Sequence, residues 1–201
     1  MAPRSTFLSA APAKAAVALA MTALTLFAAP GVAGAASAPD AARSEFAVQA
    51  RAAGLDAGQA KSLQKRVDSY LGKEKGKQVA VNKITLDKGA EILLTLPGEK
   101  YAREVGAPKI TSAAAASEYC AYTYVCAFES TWFQGDKKSL FTCNTLNSIP
   151  WAGTGSWINN QRAALRAKFY RSDKTIGWIS PGGYSEDGQA PWGWVWWLSP
   201  C

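Results

Sequence analysis

The chain has 201 residues and a formal charge of +7, with four cysteines and no histidine. The missing imidazole excludes Ser-His-Asp and Cys-His enzymes and removes the commonest neutral metal ligand. The length allows one large domain or two small ones, and the division is uneven, because every Cys and Trp lies after residue 117.

Residues 1–35 carry a basic start (Arg4, Lys14), an apolar run from Ala15 to Ala29 and the triplet Ala33-Gly34-Ala35, a pattern that predicts a signal peptide cleaved near Ala35. The run is shorter than the ~20 residues of a membrane span and no basic stop-transfer cluster follows, so no transmembrane segment is predicted. The expected location is therefore secreted and extracellular. Losing Arg4 and Lys14 lowers the charge by two, which leaves a mildly basic protein that does not require a nucleic-acid partner. In an exported chain the four cysteines read as two disulfides with three possible pairings, leaving no thiol for catalysis.

Residues 36–105 predict a small α+β region of two helices and a hairpin, with a thin core that needs to pack on the rest of the chain or else serves as a removable pro-segment. Ser44 can cap a first helix reaching Gly54. Asp56 with Gln59 forms a capping-box pattern for a second, whose stripe of Ala60, Leu63, Val67, Tyr70 and Leu71 ends at Gly72. Two strands are expected at Val79–Leu86 and Glu91–Leu96, joined at Asp87-Lys88-Gly89. Residues 106–117, with Pro108 and the alanine run 113–116, read as a linker.

From residue 118 to 201 the period becomes two. Tyr122, Tyr124, Cys126 and Phe128 share one face, and Val125 and Ala127 the other. Leu165, Ala167 and Phe169 alternate with Arg166, Lys168 and Tyr170, giving a strand with a basic, solvated outer face. Short strands separated by Gly, Pro and Asn turns predict an all-β domain.

Phe128, Phe133 and Gly135 have the spacing of an aromatic, four residues, an aromatic, one residue and a glycine. It resembles the key motif of βγ-crystallin domains, in which the first aromatic covers a folded-back turn and the glycine takes a conformation a Cβ would oppose. Tyr170 to Gly177 reads as a degenerate second copy, with Thr175 in place of the second aromatic. With the short cysteine loop ahead of the motif and Trp157 to Ala164 behind it, residues 118–201 resemble the small secreted actinobacterial proteinase inhibitors of the microbial metalloproteinase-inhibitor type. That resemblance implies a βγ-crystallin-like Greek-key domain stapled by Cys120–Cys126 and Cys143–Cys201. It also implies a non-catalytic function as an inhibitor of extracellular proteases, of the metallo- or serine class.

Many βγ-crystallins bind calcium through an Asn or Asp pair followed by hydroxyl residues. Asn159 and Asn160 match the pair, but Ala163 and Ala164 replace the hydroxyls, so no metal or other cofactor is expected. Glu129, Asp136, Asp173, Glu186 and Asp187 fall mostly in turns and read as solvated acids rather than a catalytic pair, so the chain is not expected to be an enzyme. The stretch 144–155, anchored by Cys143 and stiffened by Pro150, is the candidate protease-binding loop, with Asn144, Thr145, Leu146, Ile149 and Pro150 as its contact residues. The alternative function is a cell-wall or carbohydrate-binding module, a polysaccharide partner stacking on Trp192, Trp194 and Trp196, which alternate along an expected C-terminal strand.

Overall fold

The computed structural model describes residues 38–118 and 120–201, so the expected signal peptide lies outside the described residues. Helix α1 spans Ala38–Ala52, starting ahead of the Ser44 expected to cap it, and α2 spans Ala57–Leu71. α2 begins where the sequence signals it. Asp56 Oδ1 accepts the Gln59 amide at 2.8 Å and Gln59 Oε1 accepts the Asp56 amide at 3.0 Å, satisfying two donors that a helix start leaves unpaired. Leu63 and Val67 are fully buried, and Ala60, Tyr70 and Leu71 pack on the same core.

The expected hairpin is instead a three-stranded meander, β1 Gly76–Ala80, β2 Lys83–Leu86 and β3 Glu91–Leu93, paired antiparallel in sequence order. The single strand expected at Val79–Leu86 breaks at Val81 and Asn82. The Val81 amide leaves the ladder to donate to Gln49 Oε1 of α1, and the buried Asn82 side chain donates to Leu94 O and Arg103 O at 2.8 and 2.9 Å. The stretch expected as a linker includes a short helix α3, Ala113–Ser117, and the buried Ile110.

Eight strands follow: β4 Tyr124–Phe128, β5 Lys137–Leu140, β6 Asn147–Ser148, β7 Thr154–Asn160, β8 Lys168–Tyr170, β9 Ile176–Ile179, β10 Ser185–Pro191 and β11 Trp197–Ser199. The fold is mostly β, in two antiparallel sheets ordered β1-β2-β3-β5-β4-β7-β10 and β6-β11-β8-β9. Within them, the sets β4–β7 and β8–β11 each send their third strand to the sheet of the other. Neither set of four can therefore close its hydrogen bonding alone. β3 pairs with β5 through Glu91–Ser139, Ile92–Lys138 and Leu93–Lys137, so the N-terminal meander continues the larger sheet.

The period-two pattern of β4 divides its side chains between two cores. Val125 and Ala127 join Trp157, Phe169 and Trp192 on one face, while Cys126 and Phe128 join Tyr101, Ile110 and Phe133 on the other. Both faces of β4 are thus covered, the second partly by Tyr101 and Ile110, which precede the cysteines.

Asp136 does not sit as a solvated turn acid. It is 2% exposed, pairs with Arg66 of α2, and accepts hydrogen bonds from the Tyr70 hydroxyl at 3.0 Å and the Thr95 amide at 2.9 Å. Turn position cannot reveal a cation supplied seventy residues upstream. Two positions further along β5, the buried Lys138 ammonium donates to Glu74 and to Ser148 O at 3.0 Å. Removing one partner of a buried pair strands the other charge, whereas exposed pairs are weak. Asp136→Asn takes a charged acceptor from the Tyr70 hydroxyl and the Thr95 amide and leaves Arg66 partly solvated, so it is expected to lose about 2 kcal/mol in urea unfolding. Lys83→Met, which breaks an ion pair with the largely exposed Glu104, is expected to cost under about 1 kcal/mol. Equal losses from the two substitutions would show that the Asp136 pair does not fasten α2 to β5.

Candidate functional site

The turn between β4 and β5 is folded back as the motif spacing suggests. The Phe128 and Phe133 rings lie 5.5 Å apart, and Gly135 has φ +78°, where an added Cβ would come within 2.8 Å of Glu129 Cβ. Ser156 on β7 clamps the turn. Its hydroxyl donates to Ser130 O at 2.7 Å and accepts the Phe133 amide at 2.8 Å. In the second half Tyr170 pairs with Trp197, as Phe128 pairs with Ser156, so an indole stands where the first half has its clamping serine. The turn there is held by its own backbone, the Arg171 amide donating to Thr175 O at 2.9 Å with Lys174 at φ +66°.

The cysteines pair as Cys120–Cys126 and Cys143–Cys201. The second bridge anchors an exposed loop. Phe141, Thr142, Cys143, Asn144 and Leu146 are all exposed, and Thr145 is half-buried. The backbone of this loop is fixed at several points. The Asn144 amide donates to Cys201 O at 3.0 Å, Thr142 Oγ1 donates to Lys88 O at 2.6 Å, and Asn147 Nδ2 reaches Thr145 O and Leu198 O at 3.0 and 3.2 Å. Two expected contact residues lie elsewhere. Ile149 is 7% exposed and belongs to the core, its amide bonded to Trp196 O, and Pro150 beside it is half-buried. The accessible loop is therefore 141–146, and it begins with Phe141, which belongs to no motif in the sequence.

Trp192, Trp194 and Trp196 do not form a row on a strand. Residues 192–194 make a 3-10 turn, with Trp192 1% exposed and its Nε1 donating to Phe128 O at 2.8 Å, while Trp194 is half-buried and Trp196 is 57% exposed. Alternation in sequence fixes a face only if the backbone is extended, and the Val195 amide instead turns back to Trp192 O. Trp194 contributes to a different feature, an open pocket of about 300 Å³ shared with Trp157, Phe169, Trp178 and Asp187.

The remaining candidate groups are occupied within the protein. Asn159 is buried, its Nδ2 donating to Leu165 O at 3.0 Å and its Oδ1 accepting the Gln161 side-chain amide at 2.9 Å; Asn160 Nδ2 donates to Cys120 O at 2.7 Å. These amides tie turns together and present a poor ligand set for calcium, which prefers several anionic oxygens. Asp173 accepts from Thr175 and is held below the usual carboxylate range chiefly by that hydrogen bond. Glu186 is bonded to the Tyr184 hydroxyl. Tyr70, buried beside Asp136, is held protonated well above its ordinary range, chiefly by burial and then by that charge.

Where β3 meets β5, a second cleft of about 300 Å³ brings together Lys83, Glu91, Glu104, Tyr124 and Lys137. Lys83 pairs with Glu104 at 2.8 Å and with Glu91 at 3.1 Å. Burial pushes the Lys137 ammonium down to about 8, with Glu104 and Glu91 opposing the shift.

No family model, no curated protein and no solved structure matches this chain.

Two outcomes follow for solution behaviour. Calcium added at micromolar to millimolar concentration is expected to leave the melting temperature unchanged, since only an ion that prefers the folded state raises it; a rise of several degrees would contradict the assignment of Asn159 and Asn160 to turns. Because Lys137 titrates near 8 in the fold against 10.5 ordinarily, the unfolded chain binds more protons between those values. Stability should therefore rise with pH across that window as the cost of a buried charge disappears. Tyr70 acts in the opposite sense only above about pH 10. Urea midpoints at pH 8 and 9.5 should differ less in Lys137→Met than in the unmodified protein, and identical slopes would overturn this account.

Proposed function

We propose that the protein is a secreted, non-catalytic inhibitor of extracellular proteases of the metallo- or serine class, built on a βγ-crystallin-like Greek-key domain. The observation that carries the reading is the loop 141–146, which is exposed except at half-buried Thr145 yet tied to Cys201 and Lys88, and through Asn147 to Leu198. An inhibitor needs no reacting group. It needs an accessible segment whose shape is fixed beforehand, so that little conformational entropy is lost when a protease closes on it. The bridge to Cys201 spans 58 positions and contributes on the order of 4 kcal/mol by the loop-entropy model, which keeps the segment in place under strain.

The exchange of third strands between β4–β7 and β8–β11 is the topology that two interlocked Greek keys would adopt. The folded-back turn at Phe128, Phe133 and Gly135 supports the same reading. Trp197 in place of a clamping serine makes the second half the degenerate one. The two disulfides fit an oxidising extracellular setting, and among the described residues no helix is long and apolar enough to cross a membrane. The alternative of a polysaccharide platform on Trp192, Trp194 and Trp196 loses its support, because Trp192 lies inside the core.

The test is inhibition by the purified mature protein across metallo-, serine and cysteine proteases. Stoichiometric inhibition of at least one metallo- or serine protease is expected. Leu146→Asp and Phe141→Ala should each weaken it by about tenfold or more, with little change in melting temperature, because both side chains lie outside the buried core. Trp192→Ala should act through stability alone. No inhibition by the unmodified protein across the panel would remove this function, and full inhibition by both loop variants would remove this loop.

A further inference from the structure

We propose that the pocket formed by Trp157, Phe169, Trp178, Trp192, Trp194 and Asp187 binds a small alkylated ammonium cation, independently of the inhibitory loop. It is open to solvent, holds about 300 Å³, and is walled by five aromatic rings together with Gly177, Ala190, Pro191 and Val195. The floor is rigid. The rings of Trp157 and Phe169 lie 5.6 Å apart, Phe169 and Trp178 5.1 Å, and Phe169 stacks on Trp192 at 6.2 Å. The rim is accessible, with Trp178 42% exposed on the edge strand β9 and Trp194 half-buried opposite Gly177. Gly177 makes the seat for Trp194, since an added Cβ would come within 2.2 Å of the indole ring.

The charge of the pocket selects the ligand. Asp187 is the one charged residue in its lining, and it is exposed. One of its carboxylate oxygens accepts the Gln189 amide at 2.8 Å, which fixes the side chain at the mouth. Ring faces attract cations through their quadrupole, and a carboxylate adds to the same potential. A pyranose would need partners for several hydroxyls, and apart from indole N–H groups, of which that of Trp192 is committed to Phe128 O, the lining offers only the Asp187 carboxylate. A bare lysine ammonium is strongly hydrated and would lose that hydration against an apolar wall, whereas an alkylated ammonium presents carbon to the rings. Arg171 already lies 6.0 Å from the Trp194 ring centre and repels a second cation there, so the ammonium is placed toward Trp178 and Asp187.

The probe is choline, compared with its uncharged isostere 3,3-dimethylbutan-1-ol, titrated into the mature protein by calorimetry and tryptophan fluorescence. Choline is expected to saturate one site and to bind about tenfold tighter than the isostere. Asp187→Asn should weaken choline severalfold and leave the isostere unchanged, while Trp178→Ala should abolish both. Both variants alter exposed side chains, and an unchanged melting temperature verifies that they fold. Equal affinity for choline and the isostere would overturn the proposal by showing an apolar pocket only. It would equally be overturned by no saturation with choline, by an unchanged choline affinity in Asp187→Asn, or by saturable binding of N-acetylglucosamine in its place. Protease inhibition measured with choline present separates this site from the loop, because a failure of either leaves the other reading standing.

Discussion

The carboxylate of Asp136 is the joint on which the two parts of the chain meet. It follows Gly135 in the folded-back turn and receives Arg66 and Tyr70 from α2 and Thr95 from the segment after β3. A buried carboxylate is costly unless its lone pairs are filled, and here no single element fills them. The turn, the helix and the meander must therefore be in place together. Tyr70 extends the network, since its hydroxyl oxygen also accepts the Trp151 indole N–H at 2.9 Å. One charge thus links the capping-box helix, the folded-back turn between β4 and β5 and the aromatic core.

β5 repeats the arrangement two residues later with the opposite sign. Lys138 is fully buried, its ammonium bonded to Glu74 just beyond α2 and to Ser148 on β6, and burial lowers its affinity for the proton against the pull of Glu74. β5 and the residue just ahead of it therefore carry a buried cation and a buried anion, each paired with an opposite charge from before residue 118. β3 supplies the hydrogen bonds along the same strand. Without residues 38–96, β5 would become an open edge with two stranded charges, the kind of edge that pairs with other chains. The N-terminal region thus packs on the rest of the chain, which is one of the two alternatives that its thin core left open.

The sequence made local features legible and long-range ones opaque, for definable reasons. The capping box at Asp56 and Gln59 and the two-residue period of β4 depend on nearest neighbours, and both appear where the pattern places them. The break at Asn82 depends on Leu94 and Arg103, whose carbonyls approach only in the folded chain. Asp136 looked like a turn acid because Arg66 is remote in sequence. Ile149 looked like a loop residue because it follows two polar side chains, yet its amide completes a bond to Trp196 and its side chain turns inward. Trp178 carried no motif. Its only signal was a short apolar strand, Ile176 to Ile179, whose large side chains all remain exposed.

The tryptophans show how a domain poor in aliphatic residues divides its aromatic content. Trp151, Trp157 and Trp192 are buried, and the indole N–H groups of Trp151 and Trp192 each find an acceptor, which removes the main penalty of burying an indole. Trp132, Trp178 and Trp196 stay substantially exposed, in the folded-back turn, on edge strand β9 and just before β11. Close approach by glycine permits both outcomes. An added Cβ at Gly155 would collide with the Trp192 ring, at Gly177 with Trp194 and at Gly188 with Trp132. Rings seated directly on backbone need no aliphatic residue beneath them, so a short chain can bury some indoles completely and hold others rigid at the surface. Exposed rings held against backbone in this way would lose little entropy on binding a partner, which is the physical basis for proposing a ligand at Trp178 and Trp194.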